Sequence, residues 1–391
     1  MIVVVGIGAD GMAGLSEASS SELRRAAVIY GSRRQLDLLD DSVAAERREW
    51  PSPLLPALRG LLDEPTDVHV LASGDPLLHG IGGTLIRLFG AETVTVLPHV
   101  SAVTLACARM GWSVQDTEVI SLVNAAPHTA VRRGGRAVVL SRDAGTPAAL
   151  ADLLTEYGRG DSEFSVLEQL GGPAERCRHS TARGWASAPP GDVDGVNVIA
   201  VRYLPDEQVS AALPEDAFSH DGQITKQGIR AVTLSALAPG PGQRLWDVGS
   251  GSGSIAVEWA RSGKGCSAVA FERNEERRDR IMRNAAAFGA DIDVRGAAPE
   301  AFAGAATPSA VFIGGGLTQR GVLEACLENL PAGGRLVANA VTAESEAVLL
   351  QAHSILGGEL QRFQHYRGEP LGGFTGWRPA LPVTQWAMVK P

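Results

Sequence analysis

The run Asp247-Val-Gly-Ser-Gly-Ser-Gly253 constrains this chain more than any other feature. It follows the run Arg244-Leu-Trp-Asp-Val248 and leads into the helical stretch Ile255 to Arg261, so it reads as a strand-to-helix turn. Glu272 ends the next strand at about the 20-residue distance expected of a ribose ligand. Glycines at such a turn let backbone approach a ligand, and the helix behind them offers unpaired N–H groups. The second acid can accept from two ribose hydroxyls. This is a nucleoside site. The dinucleotide fingerprint is G-x-G-x-x-G with no required acid before it. Here the spacing is G-x-G-x-G after an Asp, which points to S-adenosylmethionine rather than NAD. Asp247, Gly249, Ser250, Gly251, Ser252, Gly253 and Glu272 are the expected cofactor contacts. The loop Ile313-Gly-Gly-Gly316 leaves room for a large planar ligand and lacks acceptors for a target N–H, which disfavours amine methylation; a tight turn is the competing reading.

One such domain does not use up 391 residues, and at roughly 150 residues per domain two are expected. The first half alternates short strands (Ile2–Val5, Val68–Leu71, Thr93–Val96, Ala137–Leu140, Val196–Ile199) with helical stretches at 20–27, 81–88, 102–109 and 147–157. Thr146 is the expected N-cap of the last, with Pro147 in its first turn. The pattern is α/β with a largely parallel sheet. A Pro-, Asp- and Glu-rich stretch at 205–218 reads as a linker, giving domains 1–204 and 219–391. In the second, a long arginine-rich helix is expected from Glu275 to Phe288, with closing strands at 360–366 and 383–389.

A net charge of −9 is the wrong sign for nucleic acid as main substrate. No stretch is apolar over the ~20 residues of a membrane span, and no basic segment precedes the apolar start, so neither membrane nor secretory signal is expected. Four scattered cysteines suggest neither disulfides nor C-x-x-C metal or redox sites, which fits a reducing cytoplasm.

Further motifs narrow the reading. His220-Asp-Gly-Gln-Ile-Thr-Lys-Gln-Gly-Ile-Arg230, Phe271-Glu-Arg-Asn274, Gly296-Ala-Ala-Pro-Glu300, Val311-Phe-Ile-Gly-Gly-Gly316 and Asn339-Ala-Val341 accompany the glycine loop. Together they resemble the C-terminal half of the precorrin-6B (precorrin-6Y) C5,15-methyltransferase (decarboxylating) family. In the first half, Gly6-Ile-Gly-Ala-Asp-Gly11, Ala72-Ser-Gly-Asp-Pro76 and Pro98-His-Val-Ser-Ala102 each follow a strand. They resemble the ordered signatures of the tetrapyrrole methylases, an unrelated fold with a cleft between two α/β subdomains. The form G-x-G-x-D-G departs from that superfamily's general G-x-G-P-G-D and is common in the precorrin-6B branch. Ser141 to Pro147 and Glu168 to Glu175 extend the likeness. Ser121-Leu-Val-Asn-Ala125 departs from the Ser-Leu-His-Gly-Arg of many relatives.

The resemblance covers about residues 2–203 and 215–391. It implies an N-terminal tetrapyrrole-methylase fold joined to a C-terminal Rossmann-like methyltransferase fold. The implied activity adds two methyl groups to C5 and C15 of a tetrapyrrole on the way to cobalamin and removes the ring C acetate as carbon dioxide, yielding precorrin-8X. The first module is assigned C5; the second is assigned decarboxylation and C15. S-Adenosylmethionine is implied in each, at Gly6, Gly8, Gly74, Asp75, Pro76, Ser101 and Ala102 in the first, and at Thr225 and Ala298 besides the glycine loop and Glu272 in the second. A sulfonium methyl and an enamine-like meso carbon need chiefly to be held at attack distance; this requires no triad or metal, and none is evident. Decarboxylation gains from a general acid or cation, for which Lys226 is the candidate, with the orientation of a carboxylate as an equal alternative. A homo-oligomer is expected, with the C-terminal module as assembly core and a tetramer as its form.

Other signals are open. Substrate carboxylates call for arginines, and among 32 of them sequence selects none. Arg273, Arg277, Arg278, Arg280 and Arg283 read as a solvated helix face or oligomer contact. His79 and His99 are bystanders more readily than substrate contacts, and Trp246 and Trp259 read as core. The competing functions are a methyltransferase for another tetrapyrrole or small aromatic substrate with one module inactive, and a tetrapyrrole-binding carrier.

Overall fold

A computed structural model describes residues 1–64, 67–205 and 212–391, which divide into two compact units. The first begins with strand β1 (Ile2–Ile7), whose six residues are all buried. Its side chains alternate between two cores. Ile2 and Val4 pack with Val68, Val70 and Leu85, while Val3, Val5 and Ile7 pack with Leu23, Ile29 and Leu39. A strand covered on both faces suits the middle of a parallel sheet. β1 lies there, in the order β3-β2-β4-β1-β5, with β2 Val28–Gly31, β3 Glu46–Glu49, β4 Val68–Ser73 and β5 Val94–Leu97.

The second sheet of this unit departs from the expected parallel pattern. It comprises β6 (Glu118–Ser121), β7 (Arg136–Leu140), β8 (Glu163–Glu168), β9 (Arg176–Thr181) and β10 (Asn197–Arg202), ordered β6-β7-β10-β8-β9. Only β6 and β7 run parallel; the other three pairings are antiparallel. Thr146 is also not the N-cap. Gly145 holds that position, and the Asp143 carboxylate accepts from the N–H groups of Gly145 and Thr146.

The second unit is a seven-stranded sheet in the order β13-β12-β11-β14-β15-β19-β16. Its strands are β11 (Arg244–Val248), β12 (Ser267–Phe271), β13 (Ile292–Arg295), β14 (Ala310–Ile313), β15 (Arg335–Ala340), β16 (Glu359–Phe363) and β19 (Val383–Val389). β19 is antiparallel to both neighbours. From β11 the chain builds outward through β12 and β13, then crosses to β14 on the other side. The end of β11 is therefore the switch point, where such sheets take ligands. The helix Glu275–Phe288 spans its expected residues, with the Asn274 side chain accepting from Arg277 N–H as its cap. β17 (Tyr366–Leu371) and β18 (Phe374–Pro379) form a separate hairpin that sequence periodicity did not indicate.

Of the expected linker, 206–211 lie outside the described residues. The rest departs from a solvated tether: Leu213 and Phe218 are buried with Val257, Ala285 and Phe288. Two apolar side chains in an otherwise charged stretch suffice to dock it on the second unit's core.

Candidate functional sites

In the first unit the three motifs converge because their backbones nearly touch. A Cβ at Gly6 would lie 2.1 Å from the Gly74 carbonyl and 2.6 Å from His99 N. Gly74 itself has φ +59° and donates to the Ile7 carbonyl at 3.0 Å. The Ser101 hydroxyl accepts from Thr104 N–H at 3.1 Å and caps the helix Ala102–Met110. Together they border a cavity of about 520 Å³, lined by Gly8, Gly74, Asp75, Ser101 and Ala102 among the expected residues. Gly6 and Pro76 stand behind it: Gly6 allows the close approach, and the Pro76 carbonyl accepts from Gly82.

The cavity fits a nucleoside-sized ligand. Two of its lining residues, Ser141 and Asn197, have buried oxygens, Oγ and Oδ1, with no partner among the described residues. Such atoms are costly unless a ligand or water supplies a donor. His79 lines the cavity at φ +54°. His99 packs on Gly8 and lies 3.3 Å from the Asp10 carboxylate, in a bracing position. Val123, from the divergent 121–125 segment, also lines the cavity, and its carbonyl accepts from Arg142 Nε at 3.0 Å.

In the second unit Gly249, Gly251 and Gly253 all have positive φ, +69°, +60° and +75°. Side chains would clash at two of them: a Cβ at Gly249 would lie 2.6 Å from Gly315 backbone, and one at Gly253 2.9 Å from Ile281. Thus Ile313-Gly-Gly-Gly316 packs directly against the loop. Glu272, 5% exposed, accepts from Gly251 N–H and Asn274 N–H, each at 2.9 Å, one on each oxygen. Its remaining lone pairs stay available for hydroxyl donors.

Asp247 is buried and accepts from Ser250 Oγ at 2.7 Å and Ala256 N–H at 3.2 Å. Its other oxygen and Ser252 Oγ have no partner among the described residues. These orphaned atoms, the open tip at Gly251 and the N-terminus of the helix Ser254–Arg261 fit a nucleoside. Burial pushes the Asp247 carboxyl up to about 7, helped by the nearby Glu272 charge. Between about pH 4 and 7 the folded state therefore binds a proton the unfolded chain has lost, and stability falls as pH rises. Asp247→Asn should remove that slope. In thermal melts of ligand-free protein at pH 5 and pH 8, the parent should lose more Tm than the variant; equal losses would contradict the assignment.

The segment 220–230 lies over this loop, with the Gln223 carbonyl 3.7 Å from a Cβ built at Gly251. Asp221 binds Arg277 Nε at 2.8 Å and Arg280 Nη1 at 2.9 Å, and the Arg277 hydrogen bond holds its carboxyl down at about 2. Part of the arginine series is thus a clamp on the motif rather than a solvated face. Lys226 sits at the N-cap of the helix Gln227–Leu237, with Nζ 3.3 Å from Glu215, which also pairs with Arg367 at 2.9 Å. Trp246 and Trp259 are core residues.

The description "Tetrapyrrole (Corrin/Porphyrin) Methylases" matches residues 1–184, and "Precorrin methyltransferase domain" matches 216–390. The precorrin-6Y C(5,15)-methyltransferase (decarboxylating) of Mycobacterium tuberculosis (strain CDC 1551 / Oshkosh) is 74% identical over 390 residues, 100% of each chain. This chain belongs to the precorrin-6Y C(5,15)-methyltransferase (decarboxylating) family. Its Sinorhizobium sp relative of the same name is 44% identical over 406 residues, 100% of this chain and 96% of the other. A probable cobalt-precorrin-6B C(15)-methyltransferase (decarboxylating) of Pyrobaculum calidifontis (strain DSM 21063 / JCM 11548 / VA1) is 35% identical over 180 residues, 44% of this chain and 92% of its own.

For this precorrin-6Y methyltransferase family member, the expected residues Asp247 to Gly253 and Glu272 stand together. The carbonyls of Thr225 and Ala298 accept from Arg230 Nη1 at 2.6 Å and Gln319 Nε2 at 2.8 Å, contacts that do not themselves join either residue to the glycine loop. Sequence reading missed Asn284, whose Nδ2 donates to the carbonyls of Ser219 and Ser252 at 3.0 and 2.8 Å. The signal was present. Asn284 lies on the buried stripe of Ile281, Ala285 and Phe288, where a polar side chain needs a partner. Arg230 was likewise missed. It is fully buried, 3.3 Å from Glu258, and donates to the Leu213 and Thr225 carbonyls.

Proposed function

We propose that this protein transfers two methyl groups from S-adenosylmethionine to C5 and C15 of precorrin-6B and decarboxylates its ring C acetate, yielding precorrin-8X for cobalamin synthesis. Residues 1–204 methylate C5; residues 219–391 decarboxylate and methylate C15. The observation that carries this is the presence of two unlike glycine-loop sites, one bordering a cavity and one at a sheet's switch point, in one chain of a family whose full-length members are named for both positions. A relative of about half the length is named for C(15) and decarboxylation alone, which supports dividing the activities.

S-Adenosylmethionine supplies an activated methyl group, with one site per module. In the first, Gly8, Gly74, Asp75, Ser101 and Ala102 hold it, with Gly6 and Pro76 shaping the loops. In the second, the 249–253 loop, Glu272, Thr225 and Ala298 do so. Bound there, S-adenosylmethionine would supply its methyl group to a meso carbon, which would afterwards give up its proton. The residues work by orientation and by excluding other geometries. In decarboxylation the C–C bond pair passes into the protonated ring system, and a cation beside it lowers the cost. Lys226, half-exposed within the segment that covers the glycine loop, is assigned that role, with Glu215 keeping it in place.

The hairpin β17–β18 supports assembly through the C-terminal module; the tetramer rests on the family likeness alone. Phe374 and Trp377 are 83% and 76% exposed, and Tyr366, Leu371 and Leu381 are exposed beside them. An isolated two-stranded hairpin presenting such a patch needs a partner surface. Phe374→Glu with Trp377→Glu should reduce the mass measured by light scattering to that of one chain; an unchanged assembly would remove the hairpin from the interface. Among the described residues no helix is long and apolar enough to cross a membrane. The scattered spacing of the four cysteines supports a cytoplasmic setting.

The test of the function is product mass after incubation of the full chain with precorrin-6B and S-adenosylmethionine. A gain of two methylene units with loss of carbon dioxide is expected. Cofactor binding without turnover would favour the carrier reading, and a single methyl the inactive-module reading.

A further inference from the structure

Two arginines line the N-terminal cavity, Arg34 and Arg142, and they differ in what their donors do. Arg142 is occupied: Nε donates to the Val123 carbonyl and Nη2 to that of Ala125, so it braces the 121–125 segment. Arg34 makes one hydrogen bond, from Nη2 to Ser73 Oγ at 2.6 Å, and no carboxylate lies within ion-pair distance among the described residues. Gln35 Nε2 donates to the same Ser73 oxygen at 3.0 Å. Ser73 opens the Ser-Gly-Asp-Pro step that borders the cavity, so the motif itself aims the guanidinium. Trp50 lines the cavity as well, stacked on Tyr30 at 4.9 Å.

A partly buried guanidinium with unspent donors is costly without an anion. Burial accordingly lowers its pKa from the ordinary value, an effect eased by the charge of Asp194. Asp194 is itself engaged, one oxygen accepting from Gln169 and the other from Val196 N–H. The remaining guanidinium donors suit a carboxylate from outside the protein.

We propose that Arg34, oriented by Ser73, is the carboxylate receptor of the N-terminal cavity. This rests on the assignment of that module to C5 methylation. A carboxylate reaches the cavity from two sources, an acid side chain of the tetrapyrrole and the methionyl end of the cofactor. Both present the planar pair of oxygens that a guanidinium fork takes bidentately and an ammonium does not.

The test uses the full chain, with Arg34→Gln, Arg34→Lys and Ser73→Ala, carbon-13-methyl S-adenosylmethionine and precorrin-6B. Labelling at C5 and C15 is followed by NMR; the C15 label in each sample is the internal reference for substrate quality, and an unchanged thermal melt shows that the altered N-terminal module is folded. Arg34→Gln should raise the macrocycle KM of the C5 step about 10- to 100-fold. Arg34→Lys should recover part of this, and Ser73→Ala should give a smaller change in the same direction. A rise confined to the cofactor KM would identify the methionyl carboxylate as the source and also support the receptor. Unchanged KM for both ligands in Arg34→Gln would overturn it. Absence of the C5 label from the unaltered chain would instead overturn the C5 assignment, and the proposal with it.

Discussion

Glu272→Ala is expected to raise the dissociation constant of S-adenosylmethionine at the C-terminal module about 100-fold and to abolish the C15 label while leaving C5 labelling intact. The carboxylate is held by Gly251 and Asn274 N–H groups, one per oxygen, so it reaches the ligand already oriented. Hydrogen bonds to a charged group contribute roughly 1.5–3 kcal/mol each, and the two ribose hydroxyls together account for the factor. The substitution also leaves two backbone donors without their acceptor, so a further loss of about 1 kcal/mol of stability is expected. Isothermal titration with the full chain should show one tight site where the parent shows two. Two unchanged sites would remove Glu272 from ribose recognition.

Gly6→Ala should produce the reverse pattern. The added methyl would meet the Gly74 carbonyl and His99 N, both backbone atoms of the loops that border the cavity. Neither can rotate away as a side chain end would. Relief requires shifting β1 against the loops after β4 and β5, and overpacking of this kind costs about 3 kcal/mol. A displacement near 1 Å in a transfer that depends on alignment costs about 100-fold in rate. The C5 label should fall by that factor or more while C15 labelling persists. Gly83→Ala is the matched control. Its Cβ would meet only Arg87 Nη1 at 3.7 Å, on the helix Ile81–Phe89, so activity should be kept and the helix slightly strengthened. If Gly6→Ala retained full C5 methylation, the tight convergence of the three loops would not be what sets the site.

Both glycine loops were legible in the sequence because their glycines answer to backbone requirements that other residues cannot meet. Gly249, Gly251 and Gly253 adopt positive φ, and Gly6 tolerates a backbone approach that no side chain permits. The helix Glu275–Phe288 was legible for a similar reason, since its Asn cap and terminal Gly289 are local signals. Strand direction was not. The apolar runs that form β7, β8 and β10 have the same composition whether paired parallel or antiparallel, so the mixed second sheet emerged only in three dimensions.

Long-range partners were also illegible. Arg34 is one of 32 arginines, and only the fold brings it to Ser73, 39 positions away. Asn284 and Arg230 are polar residues on buried helix faces, a local signal whose meaning depends on Ser219, Ser252, Leu213 and Glu258 arriving from elsewhere. The hairpin β17–β18 exposes Phe374 and Trp377, residue types whose burial a single chain does not reveal.

The central claim is that each module places one of the two methyl groups. The most direct test is the position of carbon-13 in the product made by the unaltered chain, by Gly6→Ala and by Glu272→Ala from labelled S-adenosylmethionine and precorrin-6B. The account predicts labels at C5 and C15 from the unaltered chain, at C15 alone from Gly6→Ala, and at C5 alone from Glu272→Ala. Loss of the same label in both variants, or two labels from a chain with either cradle disabled, would contradict it.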